Sequence, residues 1–101
     1  MKVCVTAKGN TLNSEVDPRF GRCQFFLIIE TDTLEFNIIN NNGGASSGAG
    51  VHAGQLMVDN KVSAVLTGAF GPKASAVLAP ANIEMVANVT GTVEEAIKNR
   101  Y

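Results

Sequence analysis

Five short apolar segments, most of which are followed by loops that contain glycine, constrain the fold of this chain most strongly. Each segment has five to nine residues, which suits a strand better than a helix, and several are rich in valine, isoleucine and phenylalanine. Nearly continuous apolar strands are typical of a sheet that is covered on both faces. The sequence therefore predicts five strands, at residues 2–8, 23–31, 34–41, 62–67 and 83–87.

The first predicted helix follows the third strand, over residues 51–60. Ser46 or Ser47 is the expected N-cap, because a serine side chain can accept a hydrogen bond from the first turn. Asn60 is expected to take the left-handed conformation that ends many helices.

Two further helices follow the fourth and fifth strands. Pro72 suits the first position of a helix that runs to about residue 78 or 79, after which Asn82 stands where a glycine usually terminates the helix. Thr92 and Glu95 have the spacing of a capping box, which predicts the start of the C-terminal helix.

The predicted order of elements, β-β-β-α-β-α-β-α, gives the chain a mixed α/β fold. Right-handed crossovers lead to a five-stranded sheet of order 3-2-1-4-5 with helices on both faces, in one domain that spans residues 1–101. Three loops, at residues 9–22, 41–50 and 68–72, then meet at one edge of the sheet. Ligands of open α/β sheets bind at such an edge, so a binding site is expected there.

The segment at residues 17–23 (DPRFGRC) is the most informative part of these loops. It is either the mouth of a site for an anionic ligand, with Arg19 and Arg22 as donors and Cys23 as a candidate metal ligand, or a structural turn. In the second case the aspartate pairs with an arginine and Phe20 packs in the core.

The other two loops offer backbone N–H groups and a cation. The second loop has the composition of a phosphate cradle but no Gly-Lys-Ser/Thr ending, so anion binding and a flexible crossover both stay open. The single histidine, His52, is expected on the same edge, as a surface residue or a candidate metal ligand. The further candidate binding residues are Phe20, Gly21, Gly43, Gly44, Ser46, Ser47, Gly48, Gly50, Gly68, Gly71 and Lys73.

Charge and composition exclude several classes of function. Eight basic and nine acidic residues leave a net charge of −1, which disfavours nucleic acid and membrane surfaces as partners. No apolar run is long enough to span a membrane, and the start of the chain has no signal pattern, so a cytoplasmic location is expected. Cys4 is expected to fill the core. No nucleophile, base and orienting group are arranged together, so the chain is expected not to be an enzyme.

Three segments, at residues 16–22 (VDPRFGR), 48–56 (GAGVHAGQL) and 66–74 (LTGAFGPKA), closely resemble the dinitrogenase iron–molybdenum cofactor biosynthesis family. They occur in the order of that family, and the resemblance covers essentially the whole chain. It is greatest to the short stand-alone members, one of which carries a molybdenum–copper sulfide cluster. The resemblance implies a ribonuclease-H-like fold without nuclease activity, and a metal–sulfur cofactor carried at the edge where the glycine loops meet.

The leading functional hypothesis is a small carrier or scaffold for an anionic metal–sulfur cofactor of iron–molybdenum, iron–sulfur or molybdenum–copper type. Its protein partners would be those that assemble or accept the cluster. The alternative is a cofactor-free regulatory or protein–protein interaction domain, which would use the same edge or the strand around residues 84–87. A binder of small anions or nucleotides is a third hypothesis.

Overall fold

The chain forms a mixed five-stranded sheet with three helices, in a computed structural model that describes residues 1–44 and 47–101. The order and type of the elements are those predicted from the sequence. In chain order they are β1 (Lys2–Ala7), β2 (Phe25–Glu30), β3 (Phe36–Asn40), α1 (Ala49–Asp59), β4 (Ala64–Leu66), α2 (Pro72–Leu78), β5 (Glu84–Val86) and α3 (Val93–Arg100).

The strand order is β3-β2-β1-β4-β5, which confirms the predicted topology. β1 pairs with β2 antiparallel and with β4 parallel, and β4 pairs with β5 parallel. β3 pairs antiparallel with β2 and therefore runs in the same direction as β1. The carboxyl ends of β1, β3 and β4 consequently lie at one edge of the sheet, and their loops leave from it.

Both faces of the sheet are buried, because side chains of β1 alternate between two clusters. Cys4, which is fully buried as predicted, packs on the face that α1 and α2 cover through residues such as Met57 and Leu78. Val3 and Val5 point to the opposite face, which α3 covers. The sheet is thus a rigid support for the loops at its edge.

The second and third strands are shorter than predicted. β2 begins at Phe25 rather than at residue 23, because the carbonyl of Gln24 accepts hydrogen bonds from two successive amides, Asn41 N at 2.9 Å and Asn42 N at 3.1 Å. This double acceptance ends the regular ladder. Cys23 therefore lies in the loop and not in a strand.

The predicted start of α1 is wrong. The helix begins at Ala49, two residues early, and its N-cap is Gly48 with a left-handed φ of 69° and no side-chain cap. Glycine adopts this conformation without the steric cost that a serine would meet. Ser47 precedes the cap, and Ser46 lies outside the described residues.

The predicted end of α1 is also wrong in its detail. Asn60 is right-handed, with a φ of −86°, and the left-handed residue is Lys61, with a φ of 56°. Asn60 instead uses its side chain, since Nδ2 donates to the carbonyl of Leu56 at 2.8 Å. The same carbonyl also accepts from Asn60 N at 3.0 Å, so the side chain adds a second hydrogen bond at the end of the helix.

The remaining helix boundaries follow the prediction. Asn82 is left-handed, with a φ of 59°, after α2. The capping box of α3 is complete: Thr92 N donates to Glu95 Oε1 at 2.9 Å, and Glu95 N donates to Thr92 Oγ1 at 3.1 Å. Within the described residues, no helix combines the length and the apolar character that crossing a membrane requires.

Candidate anion-binding site

A depression of about 470 Å³ lies where the loops meet, at the carboxyl end of β1 and β4. We call it the basic depression. Its walls come from the first loop, from the start of α1, and from the turn that leads into α2. Its lining residues are 18–22, 48–50, 69–71, Lys73 and Ala74.

Close backbone contacts hold the walls of the basic depression together. A Cβ atom placed on Gly21 would lie 3.1 Å from Gly50 N, and one on Gly44 would lie 2.2 Å from Gly21 O. A Cβ on Gly68 would lie 2.5 Å from the Cα of Pro18. Each of these positions accepts only a hydrogen without a shift of the neighbouring backbone, so glycine is what lets the loops converge.

The side chains that line the basic depression give it a positive charge. Arg19, Arg22 and Lys73 contribute three cations, and no carboxylate is present among its described lining residues. The start of α1 adds backbone N–H groups, since Gly48 provides no side-chain cap for them. The arrangement therefore offers hydrogen-bond donors and positive charge to an anion.

Two phenylalanines form the apolar floor of the basic depression. The ring centroids of Phe20 and Phe70 are 5.3 Å apart, and Phe20 also packs against Phe26 at 5.8 Å. Phe20 is only 1% exposed, so it belongs to the core as much as to the site. Phe70 was not singled out from the sequence, although its place between two glycines of the third loop was a usable signal.

The turn at residues 17–20 has the features of the structural alternative as well. Asp17 Oδ1 accepts a hydrogen bond from Arg19 N at 3.0 Å and lies 3.5 Å from Arg19 Nε. Phe20 fills the core, as that alternative requires. The two interpretations are compatible, because the same turn that packs Phe20 inward also places Arg19 at the basic depression.

The two candidate metal ligands do not line the basic depression. Cys23 is fully buried; burial raises the pKa of its thiol to about 12, and the nearby Asp17 carboxylate adds to this rise. His52 is exposed on α1. Among residues 1–44 and 47–101, the structure brings together no group of three or more histidine, cysteine or acidic side chains that could hold a metal ion.

Asn41 is a residue that the sequence interpretation missed. Its Nδ2 group donates to the carbonyls of Gly21, at 3.2 Å, and Cys23, at 2.9 Å, and so fixes the turn that carries Arg22. An asparagine at the end of an edge strand is common, and only the folded structure shows which carbonyls it reaches.

Some of the predicted glycines line the basic depression, and others support its walls. Gly21, Gly48, Gly50 and Gly71 line the basic depression. The remaining predicted residues of the described loops, Gly43, Gly44, Ser47 and Gly68, are not among its lining residues. Gly44 and Gly68 instead contact the backbone behind it.

The fold and this edge define the chain as a small α/β protein with a basic, glycine-lined depression at the carboxyl end of a mixed sheet. It belongs to the dinitrogenase iron–molybdenum cofactor family, whose family model, described as "Dinitrogenase iron-molybdenum cofactor", matches residues 1–100.

Known proteins agree with this assignment. The apo form of the orange protein from Desulfovibrio gigas superposes with a TM-score of 0.91 at 33% identity, covering 98% of this chain and 85% of that chain. The NMR structure of a Thermotoga protein, described as a "putative NifB protein" that belongs to the DUF35 family, gives a TM-score of 0.84 at 27% identity, with coverages of 98% and 85%. An uncharacterised protein of Methanocaldococcus jannaschii is 31% identical over 90 residues, which are 85% of this chain and 76% of that protein. The chain is therefore a small cofactor-related protein.

Proposed function

We propose that this protein binds an anionic metal–sulfur cofactor in the basic depression and carries it without catalysing its chemistry. One observation supports this most directly: Arg19, Arg22 and Lys73 line a single depression that contains no carboxylate among its described lining residues. A chain with a net charge of −1 has no general excess of cations, so their concentration at this place is specific.

The donor set favours a cofactor whose metal ions already have their ligands. Iron–sulfur clusters are normally held by cysteine thiolates, and the described lining of the basic depression offers neither thiolate nor imidazole. It offers guanidinium, ammonium and backbone N–H groups, which bind anions through charge and hydrogen bonds. A thiomolybdate or a molybdenum–copper sulfide, whose sulfides complete the coordination, fits these residues better than a bare metal ion.

In this function, Arg19, Arg22 and Lys73 hold the anion by charge, and the N–H groups at the start of α1 approach its sulfur atoms. The floor of Phe20 and Phe70 excludes water and strengthens these contacts. The bound group supplies metal and sulfide as cargo. A site that makes no covalent bond to its cargo can release it, so proteins that assemble or accept the cluster are the proposed partners.

The proposed carrier works in the cytoplasm, where reducing conditions keep Cys4 and Cys23 as thiols. No role in binding is assigned to either thiol, since both are buried in the core.

The experiment is an anaerobic reconstitution of the purified protein. One sample receives tetrathiomolybdate and copper, and another receives iron and sulfide. After desalting, the visible spectrum and the metal content per chain are measured. We expect stoichiometric molybdenum and copper with charge-transfer bands in the first sample, and less retained metal in the second.

Substitutions locate the bound metal. The combined variant Arg19→Gln, Arg22→Gln, Lys73→Gln is expected to lose the retained metal. Lys2→Gln is the control, since it removes an exposed cation at the start of β1, at the other end of the strand from the depression. No retained metal in either wild-type sample would contradict the proposal and favour a cofactor-free interaction domain.

A further inference from the structure

Asp17 is a buried carboxylate directly beneath the basic depression. Only 3% of its surface is exposed, although aspartate is among the residues that are least often buried without a partner. It immediately precedes residues 18–22, which form one wall of the depression. A negative charge in this place works against the binding of an anion, so its presence needs a physical reason.

The backbone of Asp17 is fixed by two buried threonines. Its carbonyl accepts a hydrogen bond from Thr6 Oγ1 at 2.7 Å, and its amide donates to the carbonyl of Thr6 at 2.9 Å. Thr6 and Thr67 are fully buried, and their hydroxyl groups are joined by a hydrogen bond of 2.7 Å. Moving Asp17 would break buried hydrogen bonds, so its carboxylate is held in one place.

The carboxylate in turn contacts Arg19 twice. Asp17 Oδ1 accepts a hydrogen bond from Arg19 N at 3.0 Å and forms an ion pair with Arg19 Nε at 3.5 Å. Contact through Nε leaves the terminal nitrogens of the guanidinium for another partner. Two thirds of the Arg19 side chain is exposed, so without this contact it would have many rotamers.

We propose, on the basis of the function proposed above, that Asp17 is a positioning residue that holds the Arg19 guanidinium toward the anion in the basic depression. The Arg19 side chain is then already ordered before the anion binds, so the loss of its conformational entropy does not weaken binding. The affinity gained by ordering Arg19 in advance outweighs the repulsion between the Asp17 carboxylate and the ligand.

The direction in which one substitution changes the affinity for the anion distinguishes this role from a plain charge effect. Asp17→Asn retains an oxygen that can accept from Arg19 N and removes the negative charge. If Asp17 acted only through its charge, the variant would bind an anion more tightly. Positioning predicts the opposite, a dissociation constant for tetrathiomolybdate that rises about threefold to tenfold, since one long side chain must now be ordered on binding.

A double-mutant cycle tests whether the effect runs through Arg19. Tetrathiomolybdate alone is titrated anaerobically into the wild type, Asp17→Asn, Arg19→Gln and the double variant, and thermal unfolding confirms that each is folded. In the Arg19→Gln background, Asp17→Asn should no longer weaken binding. In a Lys73→Gln background it should still do so, because no contact joins Lys73 to Asp17 in the described ion pairs.

Arg19→Lys covers the case in which Asp17→Asn does not fold. Lysine keeps the charge but has no Nε–H group for Asp17 to hold, so a similar loss of affinity is expected. The Arg19 Nε–Hε signal in NMR spectra of the ligand-free protein gives a second readout. It should exchange more slowly in the wild type than in Asp17→Asn.

Different results would overturn the proposed function and the positioning role of Asp17. If neither the wild type nor any variant binds tetrathiomolybdate, the proposed function is overturned and the positioning role with it. If the wild type binds and Arg19→Gln weakens binding, while Asp17→Asn binds equally well or more tightly, the positioning role alone is overturned.

Discussion

Replacing Gly68 by alanine is the perturbation that most directly tests how the loops converge. A Cβ atom on Gly68 would lie 2.5 Å from the Cα of Pro18 and 2.6 Å from its carbonyl oxygen. Both are backbone atoms, and the φ of Gly68 lies outside the left-handed region, so the clash and not backbone strain decides the outcome. A normal contact needs about 3.5 Å, so the first loop must move by about 1 Å.

That movement breaks two backbone hydrogen bonds between the first and third loops. Ala69 N donates to Pro18 O at 2.8 Å, and Phe20 N donates to Ala69 O at 3.3 Å. Each contributes about 1 kcal/mol net, and overpacking of this kind costs about 1–3 kcal/mol. The free energy of unfolding should therefore fall by about 3–5 kcal/mol, which for a chain of this size lowers Tm by roughly 15–25 °C.

Urea and thermal unfolding measure both quantities, and Gly71→Ala is the matched control in the same turn. A Cβ on Gly71 meets nothing within 4 Å, and its φ of −82° suits alanine. The control should change the free energy of unfolding by no more than about 1 kcal/mol, because the lower entropy of the unfolded chain is offset by the poorer N-cap that alanine makes. Equal stability of the two variants would refute the claim that Gly68 is required by close packing of the loops.

Three further predictions concern the support of the site. Thr92→Ala removes the capping box of α3 and should lower the free energy of unfolding, measured in urea, by about 0.5–2 kcal/mol. Glu95→Gln, at the second residue of the capping box, should lower it by less. Leu78→Ala leaves a cavity under α2 and should cost about 2–5 kcal/mol in the same assay; a smaller loss would show that the core collapses around it. Because burial raises the Cys23 pKa to about 12, iodoacetamide at pH 8 should modify this thiol only after unfolding. Ionisation of Cys23 in the unfolded chain should also lower stability as the pH rises from 9 towards 12, and Cys23→Ala should remove that part of the loss.

Much of the fold could be predicted because it depends on local patterns and on the handedness of crossovers. The capping box of Thr92 and Glu95 and the terminator Asn82 are local signals, and both were correct. The two ends of α1 could not be predicted in this way, because adjacent residues compete for the same capping position. Gly48 takes the N-cap in place of a serine, and Lys61 takes the left-handed position in place of Asn60. Propensities alone do not resolve such choices between adjacent residues.

The site could be predicted as a meeting of loops but not in its details. Topology and charge were enough to place Arg19, Arg22 and Lys73 at one edge, and the structure brings all three to the lining of one depression. The burial of Cys23 could not be foreseen, since it depends on a core cluster that includes residues distant in the chain, such as Ala53 and Met57 of α1. Close contacts such as that of Gly68 with Pro18 join distant parts of the chain and leave no pattern in the sequence.

Mapping the binding site by NMR tests most directly whether the basic depression holds the cofactor. Backbone amide signals of the labelled protein are followed while tetrathiomolybdate is added anaerobically. We predict that the perturbed amides cluster at residues 19–22, 48–50 and 69–74, with small changes elsewhere. Perturbations that cluster instead at the second depression, which Leu66, Val89 and Arg100 help to line, or no perturbation at saturating ligand, would contradict this assignment.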